Sequence, residues 1–173
     1  MSVKNLLIIP GSLRANSSTH NIIRFVLQHI HAETKTVFDG TGQLPHFNDE
    51  EAPPAVVKEW RALVNNATAI LIVTPEYAYG VPGTLKNALD WLVGSGNISG
   101  KPAGLITAAT GGEYAHASMR NTLRALNAIT SEATILHIPF IRSKMNTKGE
   151  LIDSESAGAI INLVAALKDD VVG

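Results

Sequence analysis

A short polar run near the start of the chain carries the residue types that bind phosphate. It covers residues 10–19, directly after the apolar run Leu6–Ile9, and contains Gly11 and Arg14. Four hydroxyl side chains stand in the same run: Ser12, Ser17, Ser18 and Thr19. If a helix begins there, its unpaired N–H groups and its dipole attract an anion, and an arginine fork donates to phosphate oxygens. The run therefore favours a monophosphate site, although a polar connection with a serine helix cap explains it too.

A second unusual run, residues 74–83, has its shape set by two prolines and two glycines. Tyr77 and Tyr79 give this run flat, amphipathic surface. A flavin ring needs such a wall, together with backbone groups for its polar edge. The alternative is that both tyrosines pack against a neighbouring helix or a partner subunit.

A third run, residues 108–114, holds Thr110 followed by the pair Gly111-Gly112. Paired glycines let the backbone approach a ligand closely. They equally suit an ordinary turn between a strand and a helix. The run therefore points to a ligand only if it faces the same crevice as the other two.

The elements that must position these runs follow an alternating pattern of buried strands and amphipathic helices. Apolar runs predict five strands, at 6–9, about 34–38, 69–73, 103–108 and 134–138. Apolar residues at helical spacing predict five helices, over 22–30, 56–64, 85–93, 119–129 and 160–167. Ser17 or Ser18 is expected to cap the first helix.

This alternation predicts an α/β fold, a doubly wound parallel sheet with helices on both faces. Two strand orders fit the pattern: 2-1-3-4-5, and half of a Rossmann sheet. In the order 2-1-3-4-5, the strand order reverses between strands one and three. The loops after strands one, three and four then face one crevice, and these loops are the three unusual runs.

Composition narrows the possible functions. The 173 residues suit a single domain over 1–173, and the absence of cysteine excludes disulfides, thiol catalysis and cysteine-based metal sites. A net charge of −1 without a basic stripe argues against nucleic-acid binding. No metal site is expected, and His116 and His137 are expected to be structural or surface groups. The short N-terminal apolar run indicates neither a signal peptide nor a membrane span, so a cytoplasmic location is expected.

Two long connections lack a regular pattern. Residues 39–54 are long for a loop in a compact domain, which is typical of lids and subunit contacts. The alternative is a surface loop pinned by Leu44 and Phe47. Residues 142–156, which include Arg142, Lys144 and Lys148, are expected to form a solvated loop with a turn at Lys148-Gly149. The alternative is that this loop binds the nicotinamide phosphate.

Three stretches together resemble the NADPH-dependent FMN reductase family, which includes bacterial quinone, chromate and azo-dye reductases. They are GSLRANSST at 11–19, TPEYAYGVPGTLKNALDWL at 74–92 and KPAGLITAATGG at 101–112. The resemblance covers most of the chain. It implies a flavodoxin-like fold with strand order 2-1-3-4-5, bound FMN, and homodimers that often pair into homotetramers.

The resemblance also implies the residues that contact FMN. The phosphate is expected to be held by Ser12, Arg14, Ser17, Ser18 and Thr19. The flavin ring and ribityl chain are expected to contact Pro75, Glu76, Tyr77 and Ala78, with Thr110, Gly111 and Gly112 on the other side of the ring. Many family members carry Asn, Ser and Asn at the positions of Ala78, Gly80 and Thr19.

The expected function is an NAD(P)H-dependent oxidoreductase in which FMN carries the chemistry and no side chain is a dedicated acid or base. Hydride passes from the reduced nicotinamide to FMN, and electrons then pass to a small acceptor such as a flavin, a quinone or an azo compound. The preference for NADPH or NADH stays open. One alternative is a flavodoxin-type electron carrier, although such carriers are usually strongly acidic. The other is a non-redox binding protein or enzyme on the same fold.

Overall fold

The computed structural model describes residues 3–49 and 52–169. The five strands are β1 Val3–Pro10, β2 Ala32–Val37, β3 Ala69–Thr74, β4 Ala103–Ala108 and β5 Ile135–Ile138. The five α-helices are α1 Ser18–His29, α2 Ala55–Asn66, α3 Gly83–Asp90, α4 Glu113–Ala125 and α5 Ser154–Asp169. Short 3-10 helices cover Asp39–Gln43, Glu132–Thr134 and Ile141–Lys144.

The strands form one parallel sheet in the order β2-β1-β3-β4-β5, which confirms the flavodoxin-like arrangement and excludes half of a Rossmann sheet. Ile8 of β1 lies between Val37 of β2 and Leu71 of β3. The second strand is therefore added on one side of β1, and β3 and the later strands are added on its other side. The reversal of strand order lies between β1 and β3, where a ligand crevice is expected.

The sheet is covered on both faces, as its continuous apolar strands predicted. Every residue of β3 and β4 is buried. One face packs on α2, α3 and α4, with Trp60 and Trp91 in the core, and the other packs on α1 and α5 through residues such as Ile22 and Ile160. Two-sided burial removes the polar alternation that marks a half-exposed strand.

The predicted end of the fourth helix was wrong. The apolar spacing extended it to Ile129, but α4 ends at Ala125. Asn127 adopts a left-handed backbone with φ of 55°, which stops the helix. The Ile129 N–H instead donates to Lys101 O at 2.8 Å, so this apolar residue belongs to an extended connection beside β4.

Smaller differences concern the ends of other elements. β2 begins at Ala32 rather than near Thr34, and α3 ends at Asp90 rather than near Gly94. Thr134 belongs to a 3-10 turn before β5, because its Oγ1 accepts from the Ser131 N–H. End positions depend on such local hydrogen bonds, which apolar periodicity does not report.

Candidate functional site

The carboxyl ends of the central strands open into one cavity of about 650 Å³. It lies where the strand order reverses, and its volume falls within the ~300–1,000 Å³ usual for small-molecule sites. Nine of the residues expected to contact FMN line it: Ser12, Arg14, Ser17, Ser18, Thr19, Pro75, Glu76, Tyr77 and Thr110. The other three, Ala78, Gly111 and Gly112, do not line this cavity.

The N-terminus of α1 forms the polar end of the cavity. Ser17 is the N-cap, and its Oγ accepts from the His20 N–H at 3.3 Å. Ser12 is buried, and its Oγ accepts from the Arg14 N–H at 3.3 Å. These contacts aim the free N–H groups of the helix and the hydroxyls of the loop at one region.

Thr19 is the most informative residue at this end. Its side chain lines the cavity, and the residue is only 1% exposed. Its Oγ1 is one of two buried side-chain oxygen or nitrogen atoms without a hydrogen-bond partner in the part of the chain that the structure describes. Leaving a buried hydroxyl unpaired costs about 1–3 kcal/mol. A hydroxyl in this state fits a ligand that accepts a hydrogen bond.

The charges around the cavity favour an anion. Four cationic side chains line it: Arg14, Arg24, Arg142 and Lys148. Glu76 is the acidic residue of the lining. Its carboxylate already accepts from the N–H groups of Gly112 at 3.1 Å and Ala115 at 2.8 Å. The Glu76 carboxylate therefore stabilises the N-terminus of α4, and its hydrogen bonds join the second loop to the third.

A strained turn carries Tyr77 along the cavity wall. Tyr77 and Gly80 exchange two backbone hydrogen bonds, at 3.0 and 2.9 Å. The two residues between them, Ala78 and Tyr79, have φ of 48° and 59°. Left-handed backbone costs about 1–2 kcal/mol for residues other than glycine, and such strain often occurs at functional sites.

The two tyrosines of this turn have different surroundings. Tyr77 lines the cavity, and its hydroxyl lies 3.4 Å from Ser12 Oγ. Tyr79 is 78% exposed and meets Tyr114 of α4 edge to face, with ring centroids 5.2 Å apart. The wall interpretation therefore fits Tyr77, and the alternative of packing on a neighbouring helix fits Tyr79.

A comparison with known families decides the class of the protein. The sequence model of the family described as NADPH-dependent FMN reductase matches residues 4–141. The chain belongs to this family. It is an oxidoreductase that uses FMN as cofactor and NAD(P)H as co-substrate, as the resemblance implied.

Individual relatives agree with this assignment. The chain is 31% identical to a quinone reductase of Pseudomonas putida, over 87% of this chain and 86% of the relative. It is 28% identical to an NAD(P)H-dependent FMN reductase of Pseudomonas aeruginosa, over 92% and 91%. In structure it is similar to FerB, a flavoenzyme NAD(P)H:(acceptor) oxidoreductase from Paracoccus denitrificans, with a TM-score of 0.82, 26% identity and 98% coverage of both chains.

FMN fits the residues of this reductase. Its phosphate is an acceptor-rich anion, which matches the unpaired Thr19 Oγ1, the start of α1 and the surrounding cations. The half-exposed Tyr77 and the open second loop leave room for a flat ring beyond the phosphate end.

None of the described helices is both long and apolar enough to span a membrane.

Sequence reasoning missed the wall that follows β5. The reductase places Ile141, Arg142 and residues 145–149 against the cavity, although this segment was expected to be a solvated loop. The expected turn at Gly149 is present, with φ of 78°. Its position follows from topology, because the carboxyl end of β5 lies at the same edge of the sheet as the ends of β1, β3 and β4.

An ion pair secures this segment to α5. Lys144 Nζ lies 2.9 Å from the carboxylate of Asp153, which also accepts from the Ser156 N–H at 2.9 Å. Hydrogen bonds from Ser156 and Lys144 lower the pKa of Asp153 to about 2. Asp153 thus caps α5 and holds the beginning of the cavity wall in place.

The connection 39–54 lies on α3. The Phe47 N–H donates to Asn87 Oδ1 at 2.8 Å, and Trp91 Nε1 donates to Pro45 O at 2.8 Å. Leu44 is buried, and the Phe47 ring meets the Trp91 ring edge to face. The described part of this connection is therefore a surface loop pinned by Leu44 and Phe47, while Glu50 and Glu51 lie outside the described residues.

Two stacked histidines support the third loop. The rings of His116 and His137 lie 5.4 Å apart, and His137 Nε2 lies 2.8 Å from Gly111 O. His116 Nδ1 lies 3.0 Å from the buried Thr107 Oγ1. Burial, followed by the charges of His137 and Arg120, lowers the pKa of His116. These contacts fit the structural role expected for both histidines.

Proposed function

We propose that the cavity holds FMN with its phosphate at the N-terminus of α1, contacted by Ser12, Arg14, Ser17, Ser18 and Thr19. The observation that carries this proposal is the buried, unpaired Thr19 Oγ1 beside a cationic rim. Bound FMN supplies the redox chemistry, accepting hydride and passing electrons on. The side chains supply binding and orientation.

The remaining contacts follow the shape of the cavity. Pro75 and Tyr77 form one wall for the ring and ribityl chain, and Thr110 forms part of the opposite wall. Glu76 acts through position, because its carboxylate fixes the start of α4. We place Ala78 and Gly111 at the ring through their backbone, since they directly follow the lining residues Tyr77 and Thr110, and Gly112 comes next in the same loop.

Thr19→Val tests the phosphate site. A Thr19 that binds phosphate and a Thr19 that only stabilises the fold predict opposite results for this variant. Removing an unpaired buried hydroxyl stabilises the free protein, and removing a phosphate donor weakens FMN binding by about tenfold, the equivalent of roughly 1.4 kcal/mol. Thermal unfolding of the cofactor-free protein and fluorescence titration with FMN measure the two effects. Riboflavin, which lacks the phosphate, is expected to bind both proteins equally.

Thr122→Val is the matched control, since Thr122 lies on α4 outside the lining of this cavity and its hydroxyl donates to Ser118 O. This variant is expected to bind FMN like the wild type. If Thr19→Val destabilises the free protein and leaves FMN affinity unchanged, Thr19 is a structural residue and the phosphate lies elsewhere.

We propose a quinone as the preferred acceptor. The support is the set of relatives named quinone reductase and the open, tyrosine-lined end of the cavity, which suits a small planar molecule. Steady-state rates with NADPH and a benzoquinone, an azo dye or free riboflavin compare the candidates. A kcat/KM at least about tenfold higher for the quinone is expected, which corresponds to ~1.4 kcal/mol of transition-state discrimination. A higher value for the azo dye or riboflavin would reassign the acceptor.

We also propose that the chain, residues 1–173, is one domain that works as a cytoplasmic homodimer or homotetramer, as the family resemblance implies. Three exposed aromatic side chains support association: Tyr79, Tyr114 and Phe140. Light scattering after size exclusion measures the mass in solution. A monomer at micromolar concentration would contradict the oligomer.

A further inference from the structure

A chain of three hydrogen-bonded side chains begins at the N-terminus of α1, and phosphate binding alone does not explain it. Ser17 Oγ lies 3.0 Å from His20 Nδ1, and His20 Nε2 lies 3.3 Å from Asp39 Oδ1. Asp39 belongs to the 3-10 helix after β2, so the chain joins two separate segments. The serine lines the cavity at one end, and the aspartate is exposed at the other.

The hydrogen positions in this chain follow from the donors and acceptors present. An ionised carboxylate only accepts, so His20 Nε2 carries a proton when it is bonded to Asp39. In a neutral imidazole the other nitrogen, Nδ1, is then an acceptor. Ser17 has one hydroxyl proton, and it must donate that proton to Nδ1. The serine then presents only lone pairs to an anion in the cavity.

Protonation of the imidazole reverses this arrangement. His20 Nδ1 then donates to Ser17 Oγ, which also accepts from the His20 N–H. With both lone pairs engaged, the only remaining capacity of Ser17 is its own proton, which is free to point at the cavity. An anion at the start of α1 therefore gains a donor when His20 is charged.

The charges around His20 oppose one another until a phosphate binds. Asp39 is the carboxylate in contact with the ring, and it stabilises the imidazolium. The cations lining the nearby cavity disfavour a further positive charge: Arg14, Arg24, Arg142 and Lys148. Glu76, the acidic residue that lines the cavity, is bonded to the start of α4. A dianionic phosphate offsets the cations and so favours the charged imidazole.

We propose that His20 is a positioning residue that couples binding of the FMN phosphate to uptake of a proton. The inference rests on the proposed phosphate site and adds the group that sets the direction of the Ser17 hydroxyl. Because coupling between two ligands is reciprocal, phosphate favours protonation of His20 as much as protonation favours phosphate. FMN therefore binds more weakly as pH rises through the range where the imidazole loses its proton.

The same three residue types form the triads of hydrolases, but this geometry differs. In those enzymes the aspartate is buried and the serine is free to attack a substrate. Here Asp39 is 69% exposed at its side chain, and Ser17 is 4% exposed and fixed as a helix cap. The arrangement is suited to orienting the Ser17 hydroxyl proton rather than to making Ser17 a nucleophile.

Calorimetric titration with FMN tests the coupling. Titrations between about pH 5.5 and 8.5, in buffers with different ionisation enthalpies, count the protons taken up, across the range in which histidine titrates. The phosphate of FMN ionises in the same way whether wild type or His20→Gln is titrated. The difference in proton uptake between the two proteins is therefore the contribution of His20. We expect wild type to take up as much as one additional proton, and its affinity to fall by up to about tenfold per pH unit relative to His20→Gln.

Three controls make the result specific. Riboflavin lacks the phosphate and is expected to show no difference between the two proteins. His29→Gln removes the histidine at the other end of α1, whose ring bonds to Phe25 O, and should behave like wild type. Asp39→Asn alters an exposed carboxylate and is expected to move proton uptake to lower pH, because the imidazolium loses its counter-ion.

Equal proton uptake by wild type and His20→Gln would overturn the coupling, and so would a difference that persists with riboflavin. If His20→Gln does not fold, unchanged proton uptake in Asp39→Asn would overturn it instead. A wild type that binds FMN no more tightly than riboflavin would refute the phosphate site itself. Failure of the coupling and failure of the proposed function are therefore separate results.

Discussion

At the scale of single residues, Ala78 shows how this chain departs from its family at a cost in backbone energy. Its φ of 48° is a conformation that asparagine and glycine tolerate better than alanine. The family resemblance implies Asn at this position. Ala78→Asn is therefore expected to stabilise the protein by about 0.5–1 kcal/mol, which corresponds to a rise of a few degrees in Tm.

The control for Ala78→Asn is the same exchange on a helix. Ala117 is exposed within α4, where asparagine is a weaker helix former than alanine by about 0.6 kcal/mol. Ala117→Asn should therefore lower Tm while Ala78→Asn raises it. Equal losses at both positions, measured by thermal unfolding, would show that the turn is not strained.

The motif stretches predicted much of the site residue by residue, and the reason is local. Phosphate binding needs a strand-to-helix loop with hydroxyls and an arginine, and these stand together in residues 11–19. His20 was missed, because its partner Asp39 is distant in sequence, although the Ser-x-x-His spacing at a helix start was visible. Arg142 and Lys148 were assigned to a solvated loop, with nicotinamide phosphate as the alternative, because that loop has no pattern of its own.

At the scale of elements, the close approach of β1 and β3 places the first two loops side by side. A Cβ added at Gly11 would clash with Thr74 Oγ1 and would lie 2.9 Å from Thr74 Cα. The Gly11 N–H also donates to Val73 O at 2.8 Å, so the backbone is held in place. Gly11→Ala must push the two strands apart, and a loss of about 2–3 kcal/mol in the free energy of unfolding is expected from overpacking.

Gly83→Ala is the matched control for Gly11→Ala. Gly83 begins α3, and a Cβ there meets nothing within 4 Å. This variant should be neutral or slightly stabilising, because alanine is the better helix former. Chemical denaturation measures both proteins, and a Gly11→Ala variant as stable as Gly83→Ala would contradict the proposed tight contact.

Element types and order along the chain were predictable because burial on both faces gives continuous apolar strands. The residues at which the elements end were harder to predict. The step from Ala125 to Ile129 keeps apolar spacing, yet the left-handed Asn127 ends the helix. Strand order could not come from periodicity at all, since both candidate sheets bury the same residues. It followed from the family resemblance and is confirmed by the pairing of β1 with both β2 and β3.

At the scale of the whole molecule, stability is expected to depend on pH through His116. Its folded-state pKa lies below the ordinary value of 6.5, so the unfolded chain binds a proton more readily than the folded chain. The stability associated with neutral His116 is therefore present above about pH 6.5 and is lost as the pH falls below that value. Denaturation of wild type and His116→Gln at several pH values between about 7.5 and 5 tests this in the range where histidine titrates.

His116→Gln is expected to lose less stability than wild type over this range. His29→Gln, which removes the half-buried histidine at the end of α1, should follow wild type. Parallel curves for His116→Gln and wild type would show that burial against Thr107 and His137 does not disfavour the charged ring.

The most direct test of the account is the visible spectrum of the FMN-loaded protein under anaerobic conditions. Excess FMN is added, unbound flavin is removed, and the spectrum is recorded before and after NADPH or NADH and again after a benzoquinone. We expect the flavin absorbance to bleach with the nicotinamide and to return with the quinone, because bound FMN would accept hydride from the first and pass electrons to the second. A bound flavin that stays oxidised with both nicotinamides, or a protein that binds no FMN even at high concentration, would contradict it.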